Sequence, residues 1–111
     1  MGFKIAADPK FKATVNIKEP VGQDEFRSSS FVVEYRVAPN DVVGRIVDEQ
    51  GDNELLKAVV VDIEGVTDEQ GNELLYADGL LSTLCAIPYV RPAMVTTYFD
   101  MVNGRGATEK N

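Results

Sequence analysis

The residues best equipped for chemistry are the carboxylates of Asp62, Glu64, Asp68 and Glu69, gathered around Gly65 and Gly71 in the stretch VDIEGVTDEQGNE. Asp62 and Glu64, two apart in an extended segment, would share one face roughly 7 Å from each other. That is a geometry compatible with paired acid and base work in hydrolysis. The same groups could hold a divalent cation, and spacing tests the best-known version of that idea. A helix-flanked calcium loop places oxygen ligands at its first, third and fifth positions, a glycine sixth and a glutamate twelfth. Taking Gly51, Gly65 or Gly71 as the glycine puts Ile46, Val60 or Val66 first, and none can supply the carboxylate. What remains is incidental cation binding, and carboxylates at this spacing are common on acidic surfaces.

Other familiar chemistries lack their reagents. With no histidine in the chain, Cys-His and Ser-His-Asp catalysis is excluded and the commonest transition-metal ligand is missing. Cys85 is the one cysteine, so no intramolecular disulfide can form, and its place among Leu81, Leu84 and Ile87 reads as a small buried hydrophobe. Ser28, Ser29 and Ser30 interrupt an apolar pattern, as an exposed strand end or bulge would. No glycine-rich phosphate loop occurs, and Gly104-Arg105-Gly106 matches neither nucleotide-binding pattern. The expectation is a protein with no catalytic residue, no cofactor and no metal site. Eighteen acidic against eleven basic residues give a formal charge of −7, the wrong sign for nucleic acid or an anionic membrane. Protein partners fit that charge, and so does simple solubility. An acidic antagonist of a DNA-binding protein would need carboxylates clustered along one surface, whereas here they concentrate in turns.

The elements that must position these groups follow from periodicity. FKATVNIKE places Phe11, Ala13, Val15 and Ile17 on one side and polar residues on the other, the alternation of a half-buried strand. Pro20 to Asp24 has turn residues, and Phe26 to Val37 resumes with Phe31, Val33, Tyr35 and Val37 facing one way, predicting an antiparallel hairpin. Asn40 or Asp41 could cap a helix to about Gln50 with Val42, Val43, Ile46 and Val47 at helical spacing. Gly51 would stop it, and Asp52 could cap a second helix carrying Leu55, Leu56, Val59 and Val60 to about Val61. Asp62 to Val66 and the Asp68–Asn72 turn predict a small extended excursion, with Leu74, Leu75 and Tyr76 as its return strand. Asp78 could cap a third helix containing Leu80, Leu81, Leu84 and Cys85, ending near Ile87 ahead of Pro88. Pro92 suits the first turn of a last helix, with Val95, Tyr98, Phe99 and Val102 inward and Gly104 as its left-handed cap. DEQGDNELLKA, from Asp48, recurs with one deletion as DEQGNELLYA, from Asp68, and two copies of an acidic turn with a leucine pair do not make a repeat architecture.

The order of these features resembles the tail assembly chaperones of long-tailed bacteriophages. Those proteins share two leading strands, a D-x-E-G-V segment (Asp62 to Val66), a D-E-x-G turn (Asp68 to Gly71), a short amphipathic helix, I-P-Y-V-R (Ile87 to Arg91) and a last helix. The likeness covers roughly residues 11 to 103. It departs at Ile63, where family members often carry Trp, and at Ala77-Asp78, where a hydroxyl residue often caps the third helix. The resemblance implies a non-enzymatic protein that binds the phage tape measure protein during tail assembly in the host cytoplasm and is absent from the mature virion. It also implies a longer frameshifted product, whose extension would engage the tail tube protein. The alternative is a structural tail-completion or connector protein that forms a homo-oligomeric ring and stays in the particle.

The fold class expected is α+β, an N-terminal antiparallel hairpin packed against about four short helices. Residues 1–10 and the polar tail 104–111 are expected to be flexible segments flanking one domain over residues 11–103. No apolar run approaches the length of a membrane span, and no signal peptide core is visible at the start. Candidate protein-binding residues are Phe31, Val33 and Tyr35 on the hairpin, Val42 and Ile46 on the first helix, and Tyr89 and Arg91 in the corner between Pro88 and Pro92. Tyr and Arg are types enriched at interface hot spots. The competing reading of that corner is structural, with Ile87 and Val90 in the core, Tyr89 over it and Arg91 bonding the carbonyls of a helix end.

Overall fold

The computed structural model describes residues 2–105. Two long strands, β1 (Lys10–Gly22) and β2 (Glu25–Arg36), form the hairpin, followed by α1 (Asn40–Glu49), α2 (Asp52–Val59), β3 (Val60–Glu64), α3 (Asp78–Cys85) and α4 (Arg91–Val102). The result is α+β, a three-stranded antiparallel sheet in the order β1-β2-β3 with four short helices. Alternation fixes the hairpin register: Ala13 faces Val33 and Val15 faces Phe31, all four buried. The turn is tighter than expected, because β1 continues through Pro20 to Gly22, which pairs with Glu25 across an irregularity at Val21. Proline is tolerated there because β1 is an edge strand. Every residue from 20 to 30 is exposed, so the hairpin runs out beyond the core and carries Val21 and Phe26 into solvent.

β3 corrects the second predicted helix, which was expected to reach Val61 but ends at Val59. Val59-Val60-Val61 suits either element, and pairing with β2 decides, Ile63 opposite Val33 and Asp62 opposite Glu34. The expected side-chain caps are also absent: α1 starts after Pro39 and α2 after Gly51, neither with a capping side chain. Gly51 there adopts φ 90°, a conformation open mainly to glycine. The predicted return strand Leu74–Tyr76 reduces to one bridge, Thr67 with Glu73, and a bond from the Leu74 amide to the Val66 carbonyl. The turn before it forms as expected: Asp68 Oδ1 accepts the amides of Gln70 and Asn72, both at 2.9 Å, and Gly71 takes φ 87°. Helix α3 begins at Asp78, whose side chain lies outside the described residues. Gly104 is left-handed at φ 78°. Of the expected loose tail, Arg105 is held to Asp100 by its amide and guanidinium, and residues 106–111 lie outside the described residues, as does residue 1.

One sheet face packs on the helices and the other faces solvent, the usual economy of an antiparallel sheet. The core joins Val15, Val33 and Tyr35 to Leu55, Leu56 and Val59 of α2, Leu80, Leu81 and Leu84 of α3, and Val90, Met94 and Tyr98 leading into and along α4. The rings of Phe11, Tyr35 and Tyr98 cluster at centroid separations of 5.3 to 6.3 Å, with Phe99 edge-on to Tyr98. Tyr35 Oη donates to the Met94 carbonyl at 2.8 Å, and Tyr98 Oη accepts the Ala38 amide at 3.2 Å. Each buried hydroxyl thus has a partner, and these bonds tie α4 to β2 and to the start of the α1 connection. On the open face Lys12 reaches across the sheet to Glu64 at 3.0 Å.

The near-duplicated segments fold differently. Asn53-Glu54-Leu55-Leu56 lies within α2 with both leucines fully buried, whereas Asn72-Glu73-Leu74-Leu75 is non-helical and Leu75 is 80% exposed. Leu56→Ala is therefore expected to cost at least about 2 kcal/mol in urea unfolding, and Leu75→Ala less than about 0.5 kcal/mol.

Candidate functional site

Three of the four carboxylates that could do chemistry, Asp62, Glu64 and Asp68, are engaged structurally. Asp62 Oδ1 accepts the amide of Ile63 at 2.9 Å, and Glu64 is paired with Lys12. Asp68 is occupied in its own turn. Among the described residues no cluster of three or more acidic or cysteine side chains is placed to hold a metal ion. A cleft of about 390 Å³ lies beside α2 and α3, lined by Lys57, Tyr76, Leu81 and Ser82, a set without a nucleophile and base in contact.

Burial governs the shifted acids. Desolvation pushes the Tyr35 hydroxyl well above its ordinary 10.0. It also raises the Cys85 thiol above its ordinary 9.0, opposed more weakly by the positive charges of Arg91 and Lys57. A buried thiol held protonated is a poor nucleophile. Both groups keep in the folded state a proton that the unfolded chain releases, so their contribution is fully present below about pH 9 and is lost as pH rises. Melting temperature is expected to be flat from neutrality to about pH 8.5 and to fall beyond it, with Tyr35→Phe flattening the part of the fall above about pH 10.

No family model, curated protein or solved structure matches this chain. The surface therefore has to speak for itself.

The residues singled out from the sequence do not form one patch. Phe31, Val33 and Tyr35 are at 8%, 0% and 0% exposure in the core, where they hold the sheet to the helices and present no contact surface. Val42 and Ile46 are half-buried on α1. Tyr89 is exposed rather than laid over the core, while Val90 is buried and Ile87 packs partly against it. Arg91 makes no bond to a helix-end carbonyl among the described residues, and its Nε is buried without an acceptor. An unpaired donor of this kind is costly, and nothing else in the structure accounts for it.

The feature that stands out is α1. It is strongly two-faced, yet none of its residues is buried. Val43 and Ile46 pack partly against the core, Val42 is half-buried, and Val47 is open to solvent. Its main neighbour is α2. Three valines, an isoleucine and Gly44 give this helix little intrinsic propensity, so its stability has to come from covering an apolar stripe that its own domain covers only in part. The second open apolar surface is the hairpin end, where Phe26 is 64% and Val21 50% exposed. The sequence pattern points to α1 through Val42 and Ile46 but places the hairpin's contact at Phe31, Val33 and Tyr35, because alternation and helical spacing give the face of a residue but not whether anything covers it.

Proposed function

We propose that this chain is a non-enzymatic tail assembly chaperone of a long-tailed bacteriophage or prophage, which holds the tape measure protein in an assembly-competent state in the host cytoplasm. The observation that carries the reading is the half-covered apolar stripe of α1, a helix whose packing a partner helix would complete. Tape measure proteins are long and helix-rich, and an amphipathic helix laid against an apolar stripe is a standard recognition mode. The order of turn and helix motifs from Asp62 to Arg91 supports the same family. The engagement of Asp62, Glu64 and Asp68 in local bonds and an ion pair, and the burial of the Cys85 thiol, are consistent with a binding role. In this reading a longer frameshifted product carries the contact to the tail tube protein.

The test is affinity capture of the tagged chain from cells producing the phage that encodes it, with mass spectrometry of the co-purifying proteins and of finished particles. The expected result is recovery of the tape measure protein and absence of this chain from virions. Its retention in virions would make it a structural tail component instead, and capture of only a host protein would discard both readings.

A further inference from the structure

The two edges of the sheet carry opposite charge. Residues 2–18, which lead into and form most of edge strand β1, hold four lysines against one aspartate. Residues 60–73, edge strand β3 and the segment that follows it, hold five carboxylates and no cation. The sheet order sets β1 and β3 on opposite sides of β2. Lys4 and Lys18 on the first side, and Glu69 and Glu73 beyond the second, have no ion-pair partner among the described residues. Just before β1, Phe3 and Ile5 alternate with Lys4 and are 92% and 85% exposed. Two large apolar side chains this open in the segment leading into an edge strand are surface that a contact would cover.

From these features we propose that copies of this chain associate edge to edge, the basic β1 side of one against the acidic β3 side of the next, with Phe3 and Ile5 covered in the contact. Charge selects the occupant. A β1 edge meeting another β1 edge would set lysines against lysines, and two β3 edges would set carboxylates against carboxylates, so only the unlike pairing is favoured. Lysines and Pro20 on β1 guard that edge against indiscriminate strand pairing, while leaving it matched to an acidic neighbour. The contact is heterologous, using different surfaces on the two copies, and so closes into a ring or extends as a filament. The proposal does not depend on the tape measure reading, since it concerns the chain alone.

Sedimentation velocity of the purified chain over a concentration series tests it. At low salt the expected result is a concentration-dependent species larger than a monomer. In about 1 M NaCl, where charges are screened beyond roughly 3 Å, its midpoint moves at least about tenfold higher in concentration. The variants Lys4→Glu/Lys18→Glu and Glu69→Lys/Glu73→Lys each lose one edge and are expected to be monomeric, with melting temperatures equal to the parent. Mixed together they are expected to associate again, because every contact between the two variants, the reversed sides included, sets unlike charges together. A parent chain that stays monomeric, an association indifferent to salt or to the reversals, or a mixture that stays monomeric would each overturn the proposal.

Discussion

Tyr98→Ala is expected to destabilise the fold by about 4 kcal/mol, the range found when a fully buried aromatic side chain is removed and its cavity cannot collapse. Tyr98 is 1% exposed and stands where the elements meet. Its ring contacts those of Phe11 from β1, Tyr35 from β2 and Phe99 from its own helix, and its hydroxyl holds the Ala38 amide. Removal therefore takes away ring packing on two strands and leaves a part-buried amide without its acceptor. Against a total stability of about 5–15 kcal/mol for a small domain, such a loss puts a sizeable fraction of molecules in the unfolded state at physiological temperature. Tyr98→Phe separates the two contributions. It keeps the ring and removes the acceptor, and is expected to cost about 1 kcal/mol. Urea unfolding followed by circular dichroism measures both, and near-equal midpoints for the two variants would show that the aromatic cluster is not the joint between sheet and α4.

The second large effect concerns binding. Val42→Asp with Val47→Asp puts two carboxylates on the open part of the α1 stripe, where a partner helix is expected to lie. Burying a carboxylate in an apolar contact is costly enough that affinity for the tape measure protein is expected to fall at least about a hundredfold, or roughly 3 kcal/mol. Stability should change little. Val47 is exposed, and Val42 is not among the residues packed against the core, whereas Val43 and Ile46 are. Comparing capture and melting temperature distinguishes a binding surface from a structural one. A fall in melting temperature that matches the loss of capture would place the Val42 and Val47 face inside the domain's own packing.

Much of this fold was legible because its amphipathic elements bury one face. The alternation from Phe11 to Ile17 could be satisfied only by a strand with one dry side, and Phe31, Val33 and Tyr35 supplied the matching side of the partner. Pro92, Gly104 and the Asp68 turn were legible for a different reason, each using a backbone property of a single residue. Met94 could have been found, since Val90, Met94 and Tyr98 repeat every four residues along the last helix. β3 could not be separated from a helix end by periodicity, because three consecutive valines satisfy both. The leucine pairs make the limit plain. Nearly the same residues form a buried helix at Leu55-Leu56 and an exposed non-helical segment at Leu74-Leu75, so local pattern did not decide there and tertiary packing did.

The candidate surface was less legible for a related reason. Apolar residues meant for a partner and apolar residues meant for the core carry the same pattern. Phe31, Val33 and Tyr35 fill the core, while Val42 and Val47 on α1 and Phe26 on the hairpin remain open to different degrees. Tyr89 and Arg91 belong to a corner whose backbone follows the expected turn between two helices, with Val90 inward.

The central claim, that α1 is completed by its partner, is tested most directly by amide hydrogen exchange on the chain alone and in complex with the tape measure protein. The account predicts rapid exchange across α1 in the free chain and slowing of at least about tenfold in the complex, with the amides of β2 and α4 already protected in both. Slow exchange of α1 in the free chain, or protection on binding that falls elsewhere and leaves α1 unchanged, would contradict it.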